Sequence, residues 1–280
     1  MNNHLTIIQK EFSNSSNMKA LQSYLGTQED VKRFCRSVIN QIQTNQSLIE
    51  KASPDSILLA AMEGARLKLE IGTHFHIVPY KGQAKFMADW RGLLELIRRA
   101  KEIENADCQI IYVNDKWDIT LGDSPSLHHI ITTLDQEERG EFCAAYAIIW
   151  LKNSTKPLIE VMTKTQIDKI KEFALSKKKD KSDSPWQSHY EEMARKTVIR
   201  RLAKRAPSSI EKNISHAFTH EDEMYDYDLS KEDMRNVTTP IDKSNKLAEL
   251  KAAFSDVPIE KKVADEEKVD DILEGNWEDL

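Results

Sequence analysis

One stretch decides the fold: residues 76–100 read HIVPYKGQAKFMADWRGLLELIRRA. Its beginning is short and rich in β-branched and aromatic residues, and Lys81-Gly82 supplies a two-residue turn, which predicts a β-hairpin. From Trp90 onward the apolar residues recur with the 3.6-residue period of a helix. The packing side of this helix holds Trp90, Leu93, Leu94, Ile97 and Ala100. The stretch therefore predicts a hairpin that leads directly into an amphipathic helix.

Cations and one aromatic ring gather around this hairpin and helix. They are Tyr80, Lys81, Lys85, Arg91, Arg98 and Arg99. A single nucleic-acid strand is bound by such a combination, because cations neutralise phosphates and flat apolar rings stack on bases. The alternative interpretation is an ordinary solvated helix face after a hairpin, and the stretch taken alone favours that alternative.

The charge distribution separates the chain into a basic body and an acidic end. The 280 residues together carry a net charge of −6. Residues 1–220 hold 32 basic and 27 acidic side chains, whereas residues 221–280 hold 8 basic and 19 acidic ones. A basic body with an acidic tail recurs among nucleic-acid-binding proteins, since the tail repels competing anions or recruits a partner.

Composition favours a protein of the reducing cytoplasm. No apolar run approaches the roughly eighteen residues that a membrane span requires, so no membrane interaction is expected. The N-terminus shows no basic region followed by a hydrophobic stretch, as a secretory signal would. Cys35, Cys108 and Cys143 are far apart and odd in number, which argues against a disulfide framework or a CxxC metal site.

The pattern along the chain predicts three segments. Residues 1–26, rich in Asn and Ser around 13–17, are expected to form a loosely ordered lead-in. Residues 27–220 form the core, which opens with one helix capped by Thr27 and another that starts at Ser53-Pro54. Residues 221–280 are acidic and poor in aromatics, which predicts a flexible, largely disordered tail with room for one partner-binding helix.

Residues 106–161 follow a β pattern, with turns at 122–125 and 137–140. Phe142 to Trp150 is nearly continuous apolar sequence and is expected to be the most buried strand. Thr163 and Gln166 form a capping box that opens a further helix. The expected fold class is therefore α+β, an antiparallel hairpin and a small β-sheet packed with helices.

A second basic stretch lies near the end of the core. A charged loop at 176–183 precedes Ser184-Pro185, which opens a helix predicted to run from Trp186 to about Arg205. Trp186 belongs to the packing stripe of this helix, and so does Tyr190. The cations of interest are Lys178 and Lys179 in the loop, Lys196 and Arg200 on one flank of the helix, and Arg201 on the other.

No motif indicates enzyme chemistry. The sequence has no Walker-type phosphate loop, no GxSxG and no HExxH. The histidine pairs at 74/76 and 128/129 lack carboxylate or cysteine neighbours at ligand spacing, so no metal site is predicted. No catalytic residue and no cofactor is therefore assigned.

A Mg²⁺-dependent nuclease stays open as an alternative. Asp115, Asp118 and Glu160 lie near strand ends, and carboxylates are the ligands that Mg²⁺ prefers. Their spacing is not diagnostic of a metal site. A non-catalytic protein scaffold is the other alternative class.

Two motifs together resemble the RecT family of phage recombinases. The first is Val78-Pro79-Tyr80-x-x-x-Ala84-x-Phe86 followed by Trp90-Arg91-Gly92-Leu93-x-x-Leu96-x-Arg98. The second is Ser184-Pro185-Trp186-x-x-His189-Tyr190-x-Glu192-Met193-x-Arg195-Lys196-Thr197-x-Ile199-Arg200-Arg201-Leu202. The resemblance spans roughly residues 27–218. Trp90 stands where the family more often has tyrosine, a change that preserves an aromatic ring.

The resemblance implies an oligomeric, ATP-independent single-strand annealing protein rather than an enzyme. Such a protein binds ssDNA, assembles as a ring or helical filament, and pairs complementary strands into an annealed duplex during recombination of the phage or prophage type. The resemblance also implies partners for the acidic tail, namely a cognate exonuclease and a host single-stranded-DNA-binding protein.

Under this resemblance the two basic stretches become two walls of one phosphate-binding groove. Arg91, Arg98 and Arg99 form one wall, while Lys196 and Arg200 form the other. Annealing requires that cations hold the backbones while base edges stay open for pairing. The lysine loop at 177–181 would close over the DNA or contact the next subunit.

Overall fold

The computed structural model describes residues 2–177, 181, 184–207, 214 and 217. The chain divides into two compact units, Met1–Tyr227 and Asp228–Leu280, and every described residue belongs to the first. The predicted tail at 221–280 and the loop lysines Lys178 and Lys179 lie outside the described residues. Within the described part, no helix has both the length and the apolar composition of a membrane span.

Helices make up the described chain up to residue 66. They are α1 (Asn2–Ser13), α2 (Ser15–Leu25), α3 (Gln28–Thr44), α4 (Gln46–Lys51) and α5 (Pro54–Arg66). The two predicted helix starts are confirmed, because Thr27 accepts a hydrogen bond from the Asp30 amide and Ser53 accepts one from Ser56.

The expectation of a loosely ordered lead-in at 1–26 is corrected by α1 and α2. Ile8, Phe12 and Leu21 are buried, and both helices pack against α5. The polar stretch at 13–17 acts as a helix boundary, since the Asn14 side chain accepts a hydrogen bond from the Ser16 amide at 2.9 Å. Asn and Ser are as common at helix caps as in disordered segments, so composition alone could not distinguish the two for this segment.

The predicted hairpin and helix are confirmed as β1 (Phe75–Tyr80), β2 (Gln83–Ala88) and α6 (Trp90–Arg98). The turn residues Lys81 and Gly82 both have positive φ, at 47° and 80°, as a two-residue hairpin turn requires. The helix packs tightly on the chain before β1. A Cβ at Gly92 would lie 2.1 Å from the His74 carbonyl oxygen, so only glycine permits this approach.

Two antiparallel sheets follow the hairpin and α6. Their strands are β3 (Ile103–Tyr112), β4 (Lys116–Thr120), β5 (Ser126–Ile130), β6 (Phe142–Leu151) and β7 (Leu158–Thr163), with the short helix α7 (Gln136–Arg139) before β6. One sheet has the order β3-β6-β7, and β4 pairs only with β5 among the described strands. The central position of β6 confirms that Phe142 to Trp150 is the most enclosed strand, and the fold class is α+β as predicted.

Three further helices complete the described fold: α8 (Lys164–Ser176), α9 (Pro185–Ser188) and α10 (Tyr190–Ala203). The capping box of Thr163 and Gln166 opens α8 as predicted. The single helix expected from Trp186 to Arg205 is wrong, because the chain breaks at His189, with φ −138° and ψ 53°. Helix α10 then packs against β3, β6, β7 and α6.

Candidate nucleic-acid interface

One carboxylate, that of Glu192 on α10, brings the two sequence motifs together. The Trp90 indole Nε1 at the start of α6 donates a hydrogen bond to it. Arg91 Nη1 lies 3.1 Å from Glu192 Oε2, and Arg195 Nη1 lies 3.1 Å from Glu192 Oε1. Two segments about a hundred residues apart in sequence thus share a single anion.

Two guanidinium groups flank the Trp90 ring at this junction. The Cζ atom of Arg91 lies 4.5 Å from the ring centroid, and that of Arg195 lies 5.5 Å away. Both distances fall within the range of cation–π attraction. Arg91 is 48% exposed and Arg195 only 16%, so Arg91 is the cation that an incoming anion reaches first.

Strand β1 reaches the same junction through His76. Burial lowers the pKa of His76; the negative charge of Asp89 opposes this shift, while the positive charges of Lys196, His189 and Arg91 reinforce it. The break at His189, the start of α6 and the hairpin therefore converge in one place. His76 also hydrogen-bonds to the Gln41 side chain at 3.3 Å, which ties α3 to the hairpin.

The expected solvent-facing position of Lys196 is corrected, because this side chain is only 4% exposed. Helix α10 has sheet strands on one side and α6 on another, so the flank that was predicted to face solvent is covered. Arg200, one turn further along, is half-buried. The proposed second wall of a groove is thus largely inside the fold.

Arg98 and Arg99 are exposed, as predicted for an outward wall, but both also make contacts within the fold. Arg98 donates from Nε and Nη2 to the carbonyl oxygen of Ala106, at 3.0 and 2.6 Å, which joins α6 to β3. Arg99 donates to the carbonyl oxygens of Leu67 and Lys68, at 2.6 and 2.9 Å. These carbonyls lie at the end of α5, where helix carbonyls lack partners within the helix.

Arg201 lies on the opposite side of α10 from this junction, against β7. Its Nε is 2.7 Å from Glu160, and Arg205 Nη1 is 2.6 Å from the other oxygen of the same carboxylate. Arg201 therefore fastens α10 to the sheet, and it does not join the predicted DNA-binding cluster.

The hairpin tip keeps its predicted exposure. Lys81 is exposed and its Nζ lies 5.1 Å from the Tyr80 ring centroid, while Tyr80 and Lys85 are half-buried. These three residues and Arg91 are predicted site residues that remain accessible to a ligand and are not held by carbonyls of other elements. The predicted contribution of Lys178 and Lys179 falls outside the described residues.

The carboxylates considered for a nuclease are separated and largely neutralised. Asp115 receives two hydrogen bonds from Arg139, at 2.9 and 2.7 Å, and this contact holds the pKa of Asp115 well below its usual range. Glu160 is held by two arginines, and Asp118 is exposed on β4. Within the described residues, no three His, Cys, Asp or Glu side chains group as metal ligands.

Comparison with known sequences places both motifs within one family match. The sequence model of the RecT family matches residues 32–241, well over half of the chain. The chain belongs to the RecT family. Its membership assigns it to DNA-binding recombination proteins that anneal single strands.

Two relatives show how similar this chain is to other proteins in sequence. Protein RecT of Escherichia coli (strain K12) is 28% identical over 212 residues, which cover 71% of this chain and 76% of that protein. The uncharacterized protein YqaK of Bacillus subtilis (strain 168) is 27% identical over 193 residues, covering 67% of this chain and 63% of that protein.

Sequence reasoning missed the central role of Glu192 in this RecT-family fold. Helical spacing accounts for the contact of Glu192 with Arg195, three residues further along the same helix. Its contacts with Trp90 and Arg91 are long-range and leave no local pattern. The available signal was a pair of glutamates, 191 and 192, inside an otherwise basic helix.

Proposed function

We propose that this RecT-family chain binds ssDNA without ATP and pairs complementary strands into duplex. The observation that carries the proposal is the Trp90–Arg91–Glu192 junction, where both family motifs meet beside an exposed arginine. A phosphate oxygen has the charge and the hydrogen-bonding capacity of the Glu192 carboxylate, so a DNA backbone competes for Arg91 by exchange of like partners.

The DNA contacts proposed here lie along the hairpin and the start of α6. Lys81, Lys85 and Arg91 hold phosphates, and Tyr80 offers a ring to one base. Lys178 and Lys179 add charge from the loop. Because these groups act on the backbone, base edges remain free for pairing, and affinity depends little on sequence. The assignment gives Arg98, Arg99 and Arg201 a positioning role instead.

Assembly belongs to the same proposal. The chain forms a homo-oligomer, either a ring or a helical filament, so that consecutive sites hold a long strand in register for its complement. Each phosphate that is neutralised releases counterions, and the log–log dependence of affinity on salt steepens by roughly 0.7 per contact.

One experiment separates the proposal from its rivals. Labelled ssDNA is incubated with the protein and Mg²⁺, without nucleotide, and its complement is then added. Protection of the strand together with faster annealing is the expected outcome. Shortening of the strand would identify a nuclease, and absence of binding would identify a protein scaffold.

The tail has a separate role in this proposal. Residues 221–280 carry 19 acidic and 8 basic side chains, so they repel DNA and suit a protein partner such as an exonuclease or a host single-stranded-DNA-binding protein. Truncation before Glu221 is expected to leave annealing by the purified protein intact and to abolish recombination in the cell. Loss of annealing in vitro would assign the tail to the folded core.

A further inference from the structure

The β4–β5 region carries an exposed apolar surface that the DNA-binding proposal does not use. Seven large hydrophobic side chains are exposed in the described part of the chain, and six of them lie between residues 113 and 134. These six are Val113, Trp117, Leu121, Ile130, Ile131 and Leu134. Exposed apolar residues grouped in one short segment, rather than scattered, mark an interaction surface.

Leu134 is the most prominent of these residues, since 97% of it is exposed. The chain around it is nevertheless fixed. Thr133 donates to the Glu138 carboxylate at 2.7 Å, and the Asp135 side chain accepts from the Glu137 amide at 2.8 Å. Asn114 donates to the Glu138 carbonyl at 2.9 Å. Leu134 is thus a preorganised apolar knob, and a preorganised contact loses little entropy on binding.

A pocket of about 510 Å³ lies at the other end of the same hairpin. The β4–β5 turn, the connection between β6 and β7, and strand β7 line it, together with two arginines from the end of α10 and just after it, and the lining is partly apolar. The apolar residues that line it include Leu121, Pro125, Leu151, Pro157 and Leu158. The pocket is large enough to accept a leucine side chain together with the chain that carries it.

The charges around the knob and the pocket are complementary. The knob is followed by three carboxylates, Asp135, Glu137 and Glu138. The pocket is lined by three cations, Lys156, Arg201 and Arg205, against two carboxylates, Asp123 and Glu160. Because Arg201 and Arg205 share the Glu160 carboxylate, the pocket keeps an excess of one positive charge, which complements the acidic residues beside the apolar knob.

The knob and the pocket cannot meet within one chain. Strand pairing runs from Lys116 with Ile130 at one end to Thr120 with Ser126 at the other. Leu134 follows the first end and the pocket adjoins the second, so about 13 Å of strand separates them. We propose that Leu134 of one copy docks in this pocket of the next copy, which makes the contact between subunits head-to-tail.

This inference rests on the proposed assembly and names the contact that produces it. A head-to-tail contact closes into a ring or continues as a helical filament, according to the rotation between copies. DNA is a poor occupant for the knob, because its phosphates would face the three carboxylates. The acidic tail meets the same repulsion at the knob.

Two single variants and their mixture test the contact in the full-length chain. Leu134→Ser removes the knob and keeps the pocket, whereas Leu121→Glu adds a carboxylate to the pocket and keeps the knob. Each variant alone is expected to associate at least roughly thirtyfold more weakly than the wild type, the loss that marks a contact hot spot. An equal mixture is expected to form a dimer and no larger species, because each dimer has one intact contact.

Sedimentation velocity with and without ssDNA measures assembly, and Leu59→Ser, at another exposed leucine, is the matched control. Binding of an oligonucleotide too short to bridge subunits should stay within about twofold of wild type, since the groups that contact Trp90, Arg91 and Glu192 include neither Leu134 nor Leu121. Wild-type-like assembly of Leu134→Ser would overturn this contact alone. Loss of short-oligonucleotide binding would instead place the knob in the DNA site. A wild-type chain that stays monomeric would overturn the proposed assembly and the contact together, while leaving DNA binding to be judged separately.

Discussion

The two ends of α6 both carry arginines, yet the two ends use them in different ways. At the N-terminal end, Arg91 contacts the side-chain carboxylates of Asp89 and Glu192, at 3.3 and 3.1 Å. At the C-terminal end, Arg98 and Arg99 donate to backbone carbonyls of other elements, and Arg99 also pairs with Glu95 of its own helix at 3.0 Å. A phosphate can replace a half-buried side-chain carboxylate as the partner of exposed Arg91, because it offers the same charge and acceptor atoms. If Arg98 or Arg99 left its carbonyl partners, the hydrogen bonds that join two elements would be lost.

The comparison shows that the partner of an arginine, rather than its exposure, decides what it can do. Arg91, Arg98 and Arg99 are all exposed. Arg98 and Arg99 are each held by carbonyls of other elements, whereas both printed partners of Arg91 are side-chain carboxylates, which an incoming anion can replace without disturbing the fold. The following variants test this distinction, from the largest expected effect to the smallest.

Arg91→Ala should lower ssDNA affinity by roughly tenfold to a hundredfold, because losing one hydrogen bond to a charged group weakens binding by about that factor. Fluorescence anisotropy across a salt series measures both the affinity and its salt dependence, which should become less steep by about 0.7. Arg33→Ala removes the same charge from an exposed ion pair on α3 and is the control. Equal losses from both variants would mean that only overall charge matters.

Arg98→Ala should lower the free energy of unfolding by about 1–3 kcal/mol, because the carbonyl of buried Ala106 loses its guanidinium donor. Chemical denaturation measures this change. Arg98→Lys keeps the charge but lacks the planar fork that makes two hydrogen bonds. We expect Arg98→Lys to be as unstable as Arg98→Ala, and we expect both variants to bind ssDNA with near-wild-type affinity. If Arg98→Ala instead bound ssDNA more weakly and Arg98→Lys restored the affinity, Arg98 would belong to the DNA site.

Glu192→Gln should raise ssDNA affinity by up to about fivefold, since Arg91, 48% exposed, loses one charged partner from a pair worth at most about 1 kcal/mol. Glutamine can still accept the Trp90 hydrogen bond, so the junction keeps its shape. Glu104→Gln, the same change at an exposed residue of β3 away from both the junction and the knob, controls for net charge. Weaker binding by Glu192→Gln alone would show that Glu192 aims Arg91 at DNA instead of competing with it.

His76 should produce the smallest effect, a loss of stability as pH falls. Its pKa in the folded chain lies below the ordinary value of 6.5, so the unfolded chain takes up the proton first. The stabilising contribution is therefore present above pH 6.5 and declines below it. Denaturation curves on both sides of that pH should show a larger drop for wild type than for His76→Gln. Identical drops would assign the acid sensitivity to other groups.

Local chemistry explains which parts of the fold were predictable. The Lys81-Gly82 turn, the caps at Thr27 and Ser53, and the apolar run of β6 each depend on neighbouring residues, and all are confirmed. The prediction of a loosely ordered lead-in at 1–26 was wrong, because the same polar residues are found in helix caps and in disordered segments. The prediction of one continuous helix through His189 was wrong, because nothing in the helical pattern of the sequence marks a break there.

The candidate site was predictable only in part, since burial depends on distant elements. The helical pattern of α10 places Lys196 off the packing stripe, but α10 packs against α6 as well as three strands, and the Lys196 side chain is buried. Arg98 lies opposite the packing side of α6, yet its long side chain reaches the Ala106 carbonyl on β3. Residue type and helical period give the direction of a side chain, whereas its partner is set by how the elements pack.

The break at His189 has an electrostatic consequence for the junction. In one continuous helix from Pro185, Glu192 would lie beyond the first turn, whereas α10 begins at Tyr190 and places Glu191 and Glu192 within its first turn. The aligned peptide dipoles of a helix put partial positive charge at that end, which stabilises a carboxylate by about 0.3–1 kcal/mol. The chain thus supplies the anion that holds Trp90 and Arg91 at the one end of α10 where a negative charge is favoured.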